Sequence, residues 1–373
     1  MTRSAVEQLV ETASLTGREI MERYPDRQFF GFTCSYWPEE LVLAAGMEPL
    51  RLFPVNTRAM PPELPSFSCS LARGVLAELK GTGLKKLAGL GQAQTCDTMQ
   101  CLGSIAQGAF PEQVLELVPP VLLAAPGARE YYHEELKALW QKLLGLSGEA
   151  AKEENIAAAL NIFQRMRQLV RQVDEMRPRL PSPLVASLLR AGQLMPRQEY
   201  VTLLEEAVTA LAGYEETGTG KIGILLSGPV LEKDSLYLMI EELGGRVLVD
   251  DTCTGTRHYA EDPAEEAGAG RAGSVEGLLE QVARRHLTMP LCPCRHRRLE
   301  ERSEYLQSQA RERGVRGAIL VVRKYCEPHA FDAVPVAKAL QQQGIKALVL
   351  ELEGADVGGQ ERTRLQAFLE SLG

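Results

Sequence analysis

The chain has 373 residues, 45% hydrophobic and 24% charged, which is ordinary globular material and long enough for two cores joined by a helical connector. Lys+Arg 41 against Asp+Glu 49 gives a net charge of -8, which removes the broad electrostatic case for DNA or RNA as a partner. No stretch approaches the roughly 20 apolar residues that cross a bilayer, and Glu7, Glu11, Arg18 and Glu19 interrupt the first apolar segment, so neither a membrane span nor a secretory leader is expected and the compartment reads as cytoplasmic.

In chain order, Ala5 to Tyr24 reads as a lead-in helix and Gln28 to Thr33 as a strand, after which Pro38-Glu39-Glu40 opens a helix ending near Gly46. Met47 to Phe53 is the next strand. Pro54 to Pro65 is a proline-rich loop, Cys69 to Leu79 a helix, and the apolar run Leu87 to Ala93 leads into Cys96, with Asp97 opening another helix. From Gly127 to Tyr214 the periodicity is almost wholly helical, as at Ile156, Leu160, Phe163, Met166 and Leu169. Gly213 to Gly220 reads as a linker into a second alternating region. There, strands at Lys221–Leu226, Arg246–Asp250, Gly317–Val322 and Lys346–Glu351 are interleaved with helices at Asp234–Leu243, Glu276–Arg285, Arg302–Arg313, Phe331–Gln343 and Gln360–Leu372. Such alternation implies parallel pairing. The expected fold is therefore α/β: two Rossmann-like parallel-sheet domains, residues 1–126 and 215–373, facing a crevice, with a helical connector at 127–214.

Cys34, Cys96 and Cys326 each sit where a predicted strand runs out, the edge at which open α/β sheets bind ligands. Any one of them is as readily a buried small apolar side chain. Together, eight cysteines in a reducing compartment point away from disulfides, and three thiolates from separate strand ends suit a soft polynuclear iron-sulfur centre. Helix N-termini after Cys34 and Cys96 would stabilise thiolate charge.

The chain resembles the 2-hydroxyacyl-CoA dehydratase and benzoyl-CoA reductase superfamily. The resemblance lies in Thr33-Cys34-Ser35-Tyr36-Trp37-Pro38-Glu39-Glu40 with Ala44-Ala45-Gly46, in Thr95-Cys96-Asp97-Thr98-Met99-Gln100, in Ser227-Gly228-Pro229, in the run from Asp250 to Arg257, and in Lys324-Tyr325-Cys326-Glu327-Pro328. It implies a 4Fe-4S cubane on Cys34, Cys96 and Cys326 with one iron open to a substrate oxygen or another small ligand. It also implies a separate ATP-hydrolysing iron-sulfur activator protein that delivers a low-potential electron. No Walker-type Gly-x-x-x-x-Gly-Lys-Ser/Thr occurs in this chain, so ATP falls to that partner. In the acyl-CoA version, one electron makes a ketyl radical of the thioester carbonyl, the β-proton is acidified, the 2-hydroxyl leaves and the electron is returned.

Five cysteines remain, and some members of the superfamily carry a double-cubane cluster on six cysteines and reduce small molecules instead of acyl-CoA. Cys253 ends a strand beside Cys326, Cys69 begins a helix, and Cys292-Pro293-Cys294 holds two sulfurs in one turn, so Cys69, Cys253 and Cys294 are the candidate additional ligands, with Cys101 closer to a core residue. Three readings follow. The chain is a dehydratase-like or ring-reductase-like subunit, a homodimeric double-cubane reductase of small molecules, or a non-catalytic cluster-bearing subunit of a heterodimer.

Around this set, Ser35 and Glu39 flank Cys34 at the expected site mouth, where a hydroxyl and a carboxylate could orient substrate or move protons. For Glu39 the competing role is a favourable charge in the first turn of a helix. Arg295, His296, Arg297 and Arg298 form a basic run that would grip phosphates or an acidic partner, or simply face solvent. Arg257 and His258 would lie near the crevice, and Asp250 and Asp251 are expected to make hydrogen bonds beside soft thiols.

Overall fold

The computed structural model describes residues 3–81, 86–148, 153–214, 220–260, 274–295, 297–298 and 300–373. The lead-in is two helices, α1 (Ala5–Ala13) and α2 (Gly17–Arg23), because Ser4 with Glu7 and Thr16 with Glu19 each close a capping box. The second box starts a new helix inside what the sequence reads as one.

The first sheet contains β1 (Phe29–Phe32), β2 (Glu48–Arg51), β3 (Gly89–Ala93) and β4 (Val114–Leu117), all parallel, in the order β2-β1-β3-β4. Its crossover helices are α3 (Glu39–Ala44), α4 (Ser70–Lys80) and α5 (Asp97–Ala109). β1 is Phe-Phe-Gly-Phe and buried throughout, as a strand covered on both faces requires. Trp37 stacks on Phe30 at 5.6 Å, and a Cβ at Gly91 would overlap the Trp37 ring, so only glycine lets β3 pass beneath it.

The helices α6 (Ala128–Ser147), α7 (Glu153–Glu175), α8 (Ser182–Ala191) and α9 (Arg197–Leu211) follow. α1, α7, α8 and α9 share one core built on Leu9, Phe163, Leu188, Tyr200 and Leu204, while α6 caps the first sheet through Tyr132, Leu136 and Trp140.

The second sheet contains β5 (Ile222–Gly228), β6 (Gly245–Thr252), β7 (Gly317–Arg323) and β8 (Lys346–Leu352), again all parallel, in the order β6-β5-β7-β8. Its helices are α10 (Ser235–Glu242), α11 (Val275–Thr288), α12 (Glu301–Glu312), α13 (Glu327–Gln342) and α14 (Gly359–Glu370). α11 does not pack on this sheet. It crosses back to α6 and α3, placing Leu278, Leu279 and Val282 in the core of the first half.

The two sheets are thus wound identically. In each, the crossovers leave in opposite directions between the second and third strands in space, β1 and β3 in one and β5 and β7 in the other. Such a switch point opens a crevice at the carboxyl ends of the strands. Among the described residues no helix is long and apolar enough to cross a membrane.

Candidate metal centre

Cys34 follows β1, Cys96 follows β3 and Cys326 follows β7, so all three lie at the strand ends that flank the two switch points. Cys96 is the N-cap of α5, Cys326 that of α13 and Cys69 that of α4. Three helix N-termini therefore present their free amides to sulfur, where a thiolate is favoured. The helix after Cys34 opens at Glu39 with Pro38 as N-cap, where Pro38-Glu39-Glu40 is expected to open it, so Cys34, unlike the other three, is not itself an N-cap. α13 begins directly after Cys326 rather than at Phe331, and Pro328 occupies its first turn. Tyr325 holds φ 66°, the left-handed region that non-glycine residues rarely adopt, immediately before that cysteine.

Cys69, Cys96, Cys101 and Cys326 line one cavity of about 830 Å³. Behind it, Cys34 and Cys294 pack against Cys292, Tyr36, Ala93 and Met289. Cys253 and Cys96 pack against the core that holds Cys69. Charge on one sulfur is felt by the next: Cys96 by Cys69 and Cys34, Cys326 by Cys69, Cys96 and Cys253, and Cys34 by Cys292 and Cys253. Seven of the eight cysteines form this one assembly, all as free thiols, and Cys101 is exposed at its rim.

Burial dominates their protonation. It pushes Cys96 up to about 11 and Cys326 up to about 12, against the helix amides that favour the thiolates, and it raises Cys34 and Cys69. Cys292 is the exception, held low by a hydrogen bond from Cys294 and by Arg257 and Arg295. Arg257 Nη2 lies 3.0 Å from Cys253 Sγ, and His329 Nδ1 lies 3.2 Å from Cys326 Sγ.

The donor set fits a cluster. Soft thiols dominate, their deprotonation is opposed by burial and mutual repulsion, and bound cations would reverse both terms. Among the described residues no three His, Cys, Asp or Glu side chains close around a point as one metal ion requires. A polynuclear cluster binds its thiolates to different metal atoms, so its ligands stand further apart.

Ser35 and Glu39 are buried behind the thiols instead of standing at the mouth. Ser35 Oγ donates to the Cys253 carbonyl at 3.0 Å and lies 3.1 Å from His258 Nδ1. Burial alone would raise the Glu39 carboxyl, but Arg197 and His258 more than offset it and hold it well below the usual carboxylate range. Asp251 accepts from Arg257, Arg302 and Ser227, and Asp250 from Tyr237 and Arg177, the hydrogen-bonding roles expected of that pair.

The basic run divides. Arg295 is fully buried, Arg297 is half-buried and paired with Glu301, and Arg298 is exposed and paired with Glu304; His296 lies outside the described residues. Arg51, which the sequence does not mark, and Arg295, which it marks only as part of a basic run for phosphates or an acidic partner, both contact the backbone of the cysteine loops. An isolated Arg at a strand end, as Arg51 is, gives no sequence signal for that.

The family model described as 2-hydroxyglutaryl-CoA dehydratase, D-component, matches residues 34–372. Over 347 residues the chain is 23% identical to the (R)-phenyllactyl-CoA dehydratase beta subunit of Clostridium sporogenes, covering 90% of each chain. It is 23% identical over 384 residues to the (R)-2-hydroxyglutaryl-CoA dehydratase, subunit beta, of Acidaminococcus fermentans, covering 100% of each. Over 341 residues it is 24% identical to a benzoyl-CoA reductase subunit of Thauera aromatica, covering 87% of this chain and 86% of that one.

Proposed function

Since the chain belongs to the 2-hydroxyglutaryl-CoA dehydratase D-component family, we propose that it is an iron-sulfur subunit that accepts low-potential electrons from an ATP-hydrolysing activator and serves reductive chemistry on a substrate. The observation that carries this reading is the gathering of seven free thiols, drawn from both sheets and the loop between α11 and α12, three of them lining one crevice and four packed behind it. Cys34, Cys96 and Cys326 would hold the cluster, with Cys69 beside them; when bound, it would supply one-electron chemistry. The protein's own contribution is to fix the sulfurs on three helix N-termini and strand ends and to bury them.

The walls of the cavity bear on substrate. Its charged side chains are Asp97, Glu327 and Asp332, and no Lys, Arg or His lines it among the described residues. Coenzyme A carries several phosphate charges, which such a surface repels. Phe67, Tyr325 and Phe331 supply an apolar rim. The acyl-CoA would therefore be held by a second, related polypeptide, in keeping with the relatives named as beta subunits of dehydratases.

A second reading has its own support. Seven converging thiols exceed what one cubane uses, and the acidic, apolar cavity would accept a small uncharged molecule, as in a homodimeric double-cubane reductase. Anaerobic reconstitution followed by iron and sulfide analysis and electron paramagnetic resonance tests both. A bound cluster is expected, with the iron-to-sulfide ratio and the spectrum separating one cubane from two. Failure to retain iron and sulfide would overturn the assignment, and tight acyl-CoA binding by the chain alone would overturn the division of labour.

A further inference from the structure

Nine of the twelve arginines buried among the described residues stand within 4 Å of a carboxylate. Of the other three, Arg73 makes its contacts with Met60 and the Ser66 carbonyl in the loop before α4. The remaining two, Arg51 and Arg295, are 0% and 1% exposed and both belong to the crevice.

Arg51 ends β2. Its Nη2 donates to the Thr33 carbonyl at 3.1 Å, and its Nη1 to the Cys253 carbonyl at 2.7 Å, to Gln193 Oε1 at 2.9 Å and to Ser35 Oγ at 3.3 Å. One guanidinium thus grips the chain on both sides of Cys34 and joins it to Cys253. Arg295 repeats the arrangement elsewhere: Nη2 donates to the Gln94 carbonyl at 2.9 Å, and Nη1 to the Cys294 carbonyl at 2.6 Å and the Thr95 carbonyl at 3.4 Å. It joins the Cys96 loop to the Cys294 loop and lies over the Tyr36 ring. In each the Nε is buried without a hydrogen-bond partner.

Carbonyl dipoles solvate a buried cation but do not neutralise it, and an uncompensated buried charge is costly. The charges that act most on Arg51 are Cys253 and Cys34, ahead of Glu39, which Arg197 already pairs, and Arg295 acts on Cys292 and Tyr36. The anions that would balance both guanidiniums are therefore the site's own thiolates.

We infer that Arg51 and Arg295 are positioning residues of the cysteine crevice, each fixing a cysteine loop of the first half against one of the second and holding a permanent positive charge beside the sulfurs. The inference rests on the iron-sulfur reading. A positive charge near the centre favours its reduced form, so removing it lowers the reduction potential.

The test is anaerobic reconstitution of the full chain and of Arg51→Gln, Arg51→Lys and Arg295→Gln, with iron and sulfide content and a midpoint potential from a titration followed by electron paramagnetic resonance. The wild type is expected to hold the cluster. Each Gln variant should shift the reduction equilibrium at least tenfold towards the oxidised form, about 59 mV for one electron, and Arg51→Lys should keep the wild-type potential while retaining less iron. Wild-type potential and iron content in both Gln variants would overturn the inference. If Arg51→Gln does not fold, Arg51→Lys decides, since a tenfold shift with the charge retained would overturn the electrostatic role. A wild type that binds no iron or sulfide overturns the underlying reading before any variant is compared.

Discussion

His258 Nε2 lies 3.0 Å from Glu39 Oε1, both groups buried, with Ser35 Oγ 3.1 Å from the other ring nitrogen. A neutral imidazole protonated at Nε2 donates to the carboxylate and leaves Nδ1 as an acceptor facing Arg51 Nη1 at 3.5 Å, since the single Ser35 hydroxyl hydrogen goes to the Cys253 carbonyl. Burial, assisted by Arg51 and Arg285, holds its pKa down to about 4, and burial with Arg285 holds His286 down to about 3.

Acid sensitivity follows. An unfolded histidine takes up its proton near 6.5 while the folded one does not, so each contribution is complete above that value and declines as pH falls towards about 4 for His258 and about 3 for His286. The slope is about 1.4 kcal/mol per pH unit for each histidine. Glu39 acts in the same direction from lower pH, its depressed carboxyl losing its contribution as pH falls below the unfolded value of 4.5. Urea denaturation at pH 7.5, 6 and 5 should show falling stability, with a shallower profile in His258→Gln; equal stability at all three values would refute this account.

Replacing sulfur by oxygen sorts the cysteines. Cys34→Ser, Cys96→Ser and Cys326→Ser should each reduce iron retained after anaerobic reconstitution by more than about tenfold, since loss of a ligand should exceed the 10–100-fold cost of disturbing a ligand's support. Cys101→Ser, at the exposed rim, should retain it. Equal iron in all four would remove these thiols from the centre.

Arg323 joins the halves at a third place, donating to Glu232 at 2.6 Å and to Ser70 Oγ on α4 at 2.7 Å. Arg323→Met leaves a buried carboxylate alone and should cost about 3–5 kcal/mol. Adding Glu232→Leu should recover most of that loss. A double variant no more stable than the single one, measured by urea denaturation, would show that the pair is not the source.

Two glycines should respond with opposite sign. Gly91→Ala drives a methyl into the Trp37 ring and should destabilise by about 1–3 kcal/mol or more. Gly108→Ala, in α5 with open space around its Cβ, should stabilise by about 0.4–1 kcal/mol. Thermal or urea unfolding of the two variants against wild type checks both.

Much of the fold is visible in local pattern. The buried runs of β1, β3, β5 and β7 and the prolines and polar residues that bound them mark parallel strands without tertiary information. What is missing has local causes too. β4 is four residues long with Glu116 in its middle, too short for alternation to register, and the break at Thr16 is written in a capping box within a continuous apolar periodicity. For the site, cysteines at strand ends announce themselves because strand ends converge in this class of fold. Arg51 does not, and Arg295 announces itself only as one of a basic run read as facing phosphates, a partner or solvent, since an arginine without a carboxylate partner shows an inward role only once it is seen to be buried. The inward place of Ser35 and Glu39 was hidden for the same reason: Arg197 and His258, which fix Glu39, lie 158 residues and more away.

The return of α11 to the first half has a mechanical consequence. A clamshell opens by rotating two bodies about a hinge, but here the polypeptide leaves β6, buries Leu278, Leu279 and Val282 against the opposite lobe and then comes back to build β7. Prising the lobes apart would strip that helix from its seat. Rotation of exposed rim side chains such as Phe67 and Phe331 needs no such rupture, and belongs to picoseconds to nanoseconds rather than the microseconds to milliseconds of domain closure.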